Sequence, residues 1–484
     1  MSQNNDVQGA VFTSLLPARK SDRIYGTWDL IFVQICFGIA AWFFLTGSQA
    51  GVLLPAYQAI PVILFGNCTG IFLISFLSIV PTRYGCEEIT VSKGVFGHKG
   101  SFLMLFFFLI ACYPALALAT LMFGESAIKF VHLLGGTGMM AEEGMGVTIF
   151  ALFALIGGTI IAGLGPNVMR WFTRISAVSM AVILFGLMVY VFVYHGFSAI
   201  WHAEPCDTTY IDEYGPDLGI KWNKATALEA NLGLGMSWGF FFGGWSRLAK
   251  TEPNGYHGCQ WGWGALAAGA GLFSAFAALA ISEYDPTAWF IKVSHDTNST
   301  ILPLAGIVLF AVANLTSVAT LVYPEAVAFK AKLPKYSWIV ALLVSTVPVL
   351  AMLNNTVYYM VSNVYAFIGL VTGCFSAIMV ADFLVISKGK FRIREYFSKK
   401  GYWYAKGWNP AAIIALACGL TTYLIILNPL TWVSYSGLFP YTTAILPTIC
   451  VTGAVYIILM KTWILKKYKM PYVNDFEIED EKAE

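Results

Sequence analysis

An all-α integral membrane protein is predicted, and three observations predict it. Hydrophobic residues make up 58% of the 484-residue chain and charged residues 12%, against about 25% charged in an ordinary soluble domain. Apolar stretches long enough to cross a bilayer, which takes about 20 residues, recur along the whole chain. Basic residues gather on one side of that succession.

Twelve apolar windows are expected to span: residues 28–54, 59–80, 102–123, 146–164, 175–195, 228–248, 261–282, 303–323, 337–352, 357–387, 410–427 and 438–460. The ninth and tenth are divided only by Leu353-Asn354-Asn355-Thr356. An even number of spans puts both termini on one face. Of 29 Lys and Arg, all but Lys129, Lys221, Lys224 and Lys292 lie on that face, which the positive-inside rule makes cytoplasmic. Opposite loops hold acids instead, including Glu204, Asp207, Asp212, Glu213 and Asp217.

Glycine marks where the backbone can leave the helix. The first window carries Gly38, Gly47 and Gly51, and the sixth Gly233, Gly235, Gly239, Gly243 and Gly244. Two Gly-interrupted helices five windows apart point to inverted repeats around a midplane site. Close helix packing is the competing reading of the same residues. The organisation expected is a cytoplasmic tail (1–27), a first five-helix unit (28–195), a second (228–387), two extra helices (410–460) and a cytoplasmic tail (461–484).

Several function classes are excluded. A net charge of +2 provides no basic field for nucleic acid. No Cys/His spacing suggests zinc, and no Gly-rich loop with Lys-Ser/Thr suggests a phosphate cradle. All six histidines fall in loops or at window ends, so hydrolytic chemistry within the membrane lacks its base and an enzyme is not expected. Asp29 and Glu229 are placed at window starts, Glu125 at an end, and Glu325 and Asp382 near cytoplasmic ends. No proton relay is legible. A channel would need rings of charge or carbonyl filters, and none is visible.

The middle of the membrane is instead aromatic and small-polar. Trp42 lies beside the break of the first window, Tyr113 with Pro114 in the third, and Trp238 with Phe240–Phe242 in the sixth. The eighth contains Asn314, Thr316, Ser317 and Thr320. An uncharged planar heterocycle wants this mixture of π-faces and hydrogen-bonding edges, although packing aromatics have the same composition. Thr316 and Ser317 are adjacent hydroxyls one turn after Ala313. With carbonyls of Gly38 and Ala41 they could make the oxygen set a dehydrated Na⁺ requires; bonding to their own preceding turn is the alternative.

Three stretches carry a family resemblance. Gly243-Gly244-Trp245-Ser246-Arg247-Leu248-Ala249-Lys250 resembles the signature closing the sixth span of the nucleobase:cation symporter-1 permeases for purines, cytosine, allantoin and hydantoins. Ala381-Asp382-Phe383, a basic stretch, Tyr404 and Gly407-Trp408-Asn409-Pro410-Ala411 resemble the segment joining their tenth and eleventh spans. Phe37-Gly38 through Thr46-Gly47, Gln49 and Gly51 resembles the broken first span of the cytosine-permease branch.

The resemblance implies a LeuT-type fold: two five-helix inverted repeats plus two extra helices, with substrate held between spans 1, 3, 6 and 8. It implies a secondary active importer of a nucleobase or related heterocycle, driven by Na⁺ or H⁺, without a further cofactor. A monomer in the plasma membrane is expected. The substrate candidates are Trp42, Tyr113, Gly235, Trp238, Asn314 and Thr320; the cation candidates are Gly38, Ala41, Ala313, Thr316 and Ser317. Departures from the pattern are Ile110, where the family has Gln, and Gly244, where it has Asp. Registering the eighth span on Pro324 puts Thr320 at the family's substrate-reading Asn; registering on the hydroxyls keeps Thr316 and Ser317 at the cation. An amino-acid permease of the same fold is the other reading.

Overall fold

The computed structural model describes residues 9–38, 42–298, 300–397 and 401–468. Among these, helix follows helix, and the β contacts are the isolated bridges Tyr25–Ala249 and Ala405–Trp408. The elements that position the site are α1 (Thr27–Gly38), α2 (Trp42–Leu53), α3 (Ala56–Tyr84), α4 (Glu88–Phe96), α5 (Ser101–Leu133), α6 (Met145–Gly163), α7 (Pro166–His195) and α8 (Pro216–Ser237). They are followed by α9 (Phe242–Ser246), α10 (Glu252–Ile281), α11 (Ile301–Lys332), α12 (Trp338–Met352), α13 (Val361–Ile386), α14 (Pro410–Ile426) and α15 (Ile445–Tyr468).

Among the described residues, eight helices are long and apolar enough to cross a membrane, and α1 with α2 makes a ninth, bent by 55°. α12 and α14 are apolar but shorter. The α8–α9 rod is divided: α8 ends at Ser237, a 3₁₀ turn covers Trp238–Phe240, and α9 resumes at Phe242. Nine of the twelve expected windows fall on helices that are long and apolar enough to cross; the ninth and eleventh fall on the shorter α12 and α14, and the sixth on the divided α8–α9 rod. The sixth begins earlier than its apolar window, because α8 starts at Pro216 and passes through Asp217, Lys221 and Lys224 before reaching apolar sequence. Glu229 is therefore inside the helix, thirteen residues after its start, and not at a span start.

Glycine acts in both of the ways expected of it. Gly38 ends α1 at the bend, where a Cβ would stand 2.9 Å from the rings of Phe43 and Trp263. Ala41 lies outside the described residues. Gly47 and Gly51 are packing positions: a Cβ on Gly47 would be 2.1 Å from the Gly271 carbonyl oxygen, and one on Gly51 2.4 Å from that of Ala275. Small residues let α2 and α10 touch backbone to backbone, the usual basis of helix association in lipid. Ser48 and Ser274, 2.9 Å apart, bond across the same seam.

The two interrupted rods are tied at their ends. Tyr25 N donates to Leu248 O (3.0 Å) and Lys250 N to Tyr25 O (2.9 Å), joining the entrance of α1 to the exit of α9. Asp29, buried at the start of α1, takes Arg170 at 2.9 Å and Arg174 at 2.6 Å from α7. At the far end, Asn223 of α8 donates to Leu53 O (3.0 Å) and Asp207 N to Val52 O (2.9 Å). The acidic 204–217 loop is thereby laid against the end of α2.

Candidate functional site

The bend between α1 and α2 exposes a carbonyl and an aromatic ring at the same level. Phe37, one residue before the end of α1, stacks on Trp263 with centroids 4.7 Å apart, and lies 5.0 Å from Trp238 and 5.2 Å from Phe241. Trp263 reaches this cluster from the π-helical turn Gln260–Leu266 of α10, and its Nε1 donates to Leu234 O at 3.1 Å. Such turns insert a residue into the helical ladder and are frequent at functional sites.

Trp42 opens α2 and is fastened at both ends. Its Nε1 donates to Ser317 Oγ (3.1 Å), while its carbonyl accepts from Tyr365 Oη of α13 (3.0 Å). The Tyr365 ring meets it edge-on at 5.6 Å. Below this pair is a cavity bordered by Phe37, Trp42, Cys112, Phe241, Tyr365 and Thr372, among others. It offers about 20 Å³ to the centre of a water molecule, room for about one water and too little for a heterocycle. Its serine and threonine hydroxyls are engaged within their own turns, Ser237 with Leu234 O (2.6 Å) and Thr372 with Ile368 O (2.7 Å).

Beside it is a cluster of oxygens. Ser317 Oγ donates to Phe37 O (3.2 Å), and Thr316 Oγ1 bonds both Val312 O (2.7 Å) and Ser176 Oγ of α7 (3.0 Å). Thr316 thus closes on its own turn, as the alternative reading had it, and also reaches across to α7 rather than to α1. Hydroxyls and a carbonyl freed by a helix end form a hard, neutral donor set of the kind that suits an alkali cation. Among the described residues no group of three His, Cys, Asp or Glu could hold a metal.

The remaining candidates are placed apart from the cavity. Tyr113 is half-buried and its hydroxyl donates to Val344 O of α12 (3.1 Å), although its neighbour Cys112 does line the cavity. Gly235 faces α3, where a Cβ would meet Asn67 O at 2.8 Å. Trp238 is buried behind Phe37 and Phe241. Asn314 is buried with Nδ2 on Phe310 O (3.1 Å), and Thr320 bonds the carbonyls of Thr316 and Ser317, both at 3.0 Å. Gly38 and Ala313 flank the oxygen cluster in sequence; Ala313 is buried. Ile110 lines a separate apolar recess of about 330 Å³ with Pro114, Asn363 and Phe367. The aspartate missing at Gly244 would not fit, since a Cβ there comes 2.6 Å from Pro324.

Sequence reasoning missed Tyr365, Trp263 and Ser176. No motif marks any of them within its apolar run. It also undervalued two carboxylates. Glu229 accepts from Tyr423 Oη (2.6 Å), Ala444 N (2.8 Å) and Ile445 N (3.2 Å), pinning α8 to α14 and α15. Asp382 accepts from Tyr456 Oη at 2.5 Å. These bonds satisfy buried carboxylates that would otherwise be costly in a membrane protein.

Glu88, at the start of α4, is fully buried. Burial and the adjacent Glu87 push its carboxyl well above the ordinary carboxylate value, with Arg247 pulling the other way. The folded protein then holds a proton that the unfolded chain releases, so stability falls as pH rises through and above the ordinary carboxylate range. Thermal unfolding in detergent from pH 5 to 8 is expected to show that decline, and Glu88→Gln to flatten it. An equal slope in the variant would remove Glu88 as the source.

No curated protein matches the sequence. Among solved structures, the chain is similar to Mhp1, a nucleobase-cation-symport-1 family transporter, in a closed conformation with bromovinylhydantoin bound (TM-score 0.75, 17% identity, covering 96% of this chain and 98% of that one). The inward-facing conformation of Mhp1 matches at TM-score 0.67 and 18% identity, over 93% of each chain. A Na⁺-coupled sialic acid symporter in a substrate-bound outward-open state matches at TM-score 0.56 and 10% identity, over 94% of this chain and 95% of that one. The fold is the LeuT type, and the protein is a multi-pass membrane transporter, not an enzyme. A profile described as permease for cytosine/purines, uracil, thiamine, allantoin matches residues 17–441, and the chain belongs to that permease family, whose nucleobase:cation symporter-1 motifs it resembles.

Proposed function

We propose that this permease imports a nucleobase or a related small planar heterocycle by cation symport with alternating access. The observation that carries the reading is the double attachment of Trp42. One side chain walls the cavity and also bonds Ser317 Oγ, within the oxygen cluster. Occupancy of the oxygen cluster and of the cavity would therefore act on the same bend, which is what coupling requires. Phe37, Phe241 and Tyr365 would face the ring together with Trp42, and Thr372 or Ser237 would release its own turn to read a polar edge. Tyr113, Gly235, Trp238, Asn314 and Thr320 would support this wall from outside the cavity as it stands. The neutral oxygen set around Phe37 O, Thr316, Ser317 and Ser176, with Gly38, Ala41 and Ala313 beside it, favours Na⁺ over H⁺.

Residues 28–195 and 228–387 would be the inverted repeats, the second extended back to the start of α8, with α14 and α15 outside them. Both termini would be cytoplasmic, and a monomer in the plasma membrane would suffice. An amino-acid substrate is the weaker reading, because the family match is to heterocycle permeases.

Proteoliposomes carrying the full chain are expected to accumulate at least one of labelled cytosine, uracil, hypoxanthine, allantoin or hydantoin under an inward Na⁺ gradient. Ser317→Ala is expected to raise the Na⁺ concentration required by about tenfold or more, the scale of effect for groups that support a metal site. Absence of accumulation under either a Na⁺ or a proton gradient would overturn the proposal. Unchanged Na⁺ dependence in the variant would move the cation elsewhere.

A further inference from the structure

A second cavity lies on the basic face of the protein, remote in sequence from the residues around Trp42. It measures about 400 Å³ and is lined by Lys93 of α4, Lys332 at the end of α11, His98, and the aromatic residues Tyr396, Phe397 and Trp403, with part of the 14–17 segment closing one side. That volume is within the range of small-molecule sites, about 300–1,000 Å³.

Its walls combine two chemistries. Lys93 Nζ stands 5.2 Å from the Phe397 ring centroid, and the His98 and Trp403 rings are 5.7 Å apart. Lys332 donates to His98 O (2.6 Å) and to Ser101 Oγ, and its ammonium lies 4.1 Å over the Phe102 ring. These partners are neutral. One carboxylate, Glu87, acts on both lysines, and its oxygens accept from the amides of Ile89 (2.5 Å) and Thr90 (2.8 Å). Burial pushes Lys93 below the ordinary lysine value, so an added anion would be stabilised there. Glu395 pairs with Arg392 at 3.3 Å. Positive charge is left over in a recess with flat aromatic sides.

We propose that this cavity binds a planar aromatic phosphomonoester, of the nucleoside monophosphate class, and that the bound ligand holds the cytoplasmic side shut. The two lysines take the phosphate as charge-assisted donors, and Trp403, Phe397 and Tyr396 take the ring. The site is assembled from the 14–17 segment, α4, α11 and the residues Tyr396, Phe397 and Trp403 that follow α13. Separation of those parts destroys it, so a ligand that binds the assembled form selects that form. The regulatory half of the inference rests on the transport reading above; the binding half does not.

The test uses purified full-length protein. Uridine or adenosine 5′-monophosphate is expected to raise the unfolding temperature with saturation, while uridine and inorganic phosphate are expected to do so at least tenfold more weakly by concentration. Lys93→Gln and Lys332→Gln should each weaken the nucleotide at least tenfold. Ala331→Phe, which fills the recess and leaves both lysines, should do the same. The unliganded stability of each variant is measured alongside. Nucleotide trapped inside proteoliposomes should slow heterocycle uptake in the unaltered protein and not in Lys93→Gln. Equal response to inorganic phosphate, or displacement of the nucleotide by phosphatidylglycerol in nanodiscs, would overturn the ligand class. Binding without an effect on uptake would overturn the gating role, and failure of all uptake with nucleotide binding intact would count against the transport reading alone.

Discussion

Gly47→Val is expected to prevent recovery of a folded, monodisperse protein. The first atom of any side chain at this position would be 2.1 Å from the Gly271 carbonyl oxygen, 2.8 Å from its carbon and 2.8 Å from Ser274 Cβ. Two of those neighbours are backbone and cannot rotate away. Relief requires the whole of α2 to move off α10, which also breaks the Ser48–Ser274 contact and the Ser274 bond to Phe44 O. Overpacking of a tight core costs about 1–3 kcal/mol, and each lost hydrogen bond adds roughly 0.5–1.5 kcal/mol. A total above about 3 kcal/mol follows from those terms together. Detergent thermal unfolding and gel filtration measure it. A stable, monodisperse Gly47→Val protein would show that the two helices do not need to touch there.

Arg247→Met is expected to cost about 3 kcal/mol or more, because a hydrogen bond to a charged group is worth about 1.5–3 kcal/mol and several are lost. Arg247 is wholly buried, and its guanidinium donates to Val11 O (2.7 Å), Phe12 O (2.8 Å) and Tyr323 Oη (3.0 Å). Tyr323 in turn donates to Phe12 O at 2.9 Å. The segment before α1 is therefore held by a side chain that also faces Glu88. Removing the cation frees that segment and takes away the charge that draws the Glu88 carboxyl down. Because folded Glu88 keeps its proton, Glu88→Gln in the Arg247→Met background should recover little of the loss near neutral pH, and a double-mutant cycle reads the pair directly. Trypsin should also cut faster at Arg19 or Lys20 in Arg247→Met. Unchanged cleavage would show that the segment before α1 does not depend on Arg247.

Much of the architecture was legible because bilayers impose it. Apolar length identifies most of the rods and their order, and Gly38 in the first window and Gly239 in the sixth fall at real interruptions, while Gly47, Gly51 and Gly235 are packing positions. The site was less legible. Trp261 is 58% exposed and Trp263 fully buried against Phe37, although they are two residues apart in one apolar run. A π-helical turn decides between them, and nothing in the composition announces it. Tyr365 looks like any tyrosine in an apolar helix until its hydroxyl is found on the Trp42 carbonyl. Conversely, Tyr113 has the composition of a ligand aromatic and spends its hydroxyl on α12. The start of α8 escaped because hydropathy windows detect the lipid-facing part of a helix and not its polar extension.

The closeness of Trp42 and Tyr365 has a kinetic consequence. A chamber with room for a single water admits no ring by collision, so the walls must part before the first encounter. Capture should then level off as solute concentration rises, at a ceiling equal to the frequency with which the indole and phenol separate. Tightening that pair would lower the plateau, and loosening it would trade speed for leak.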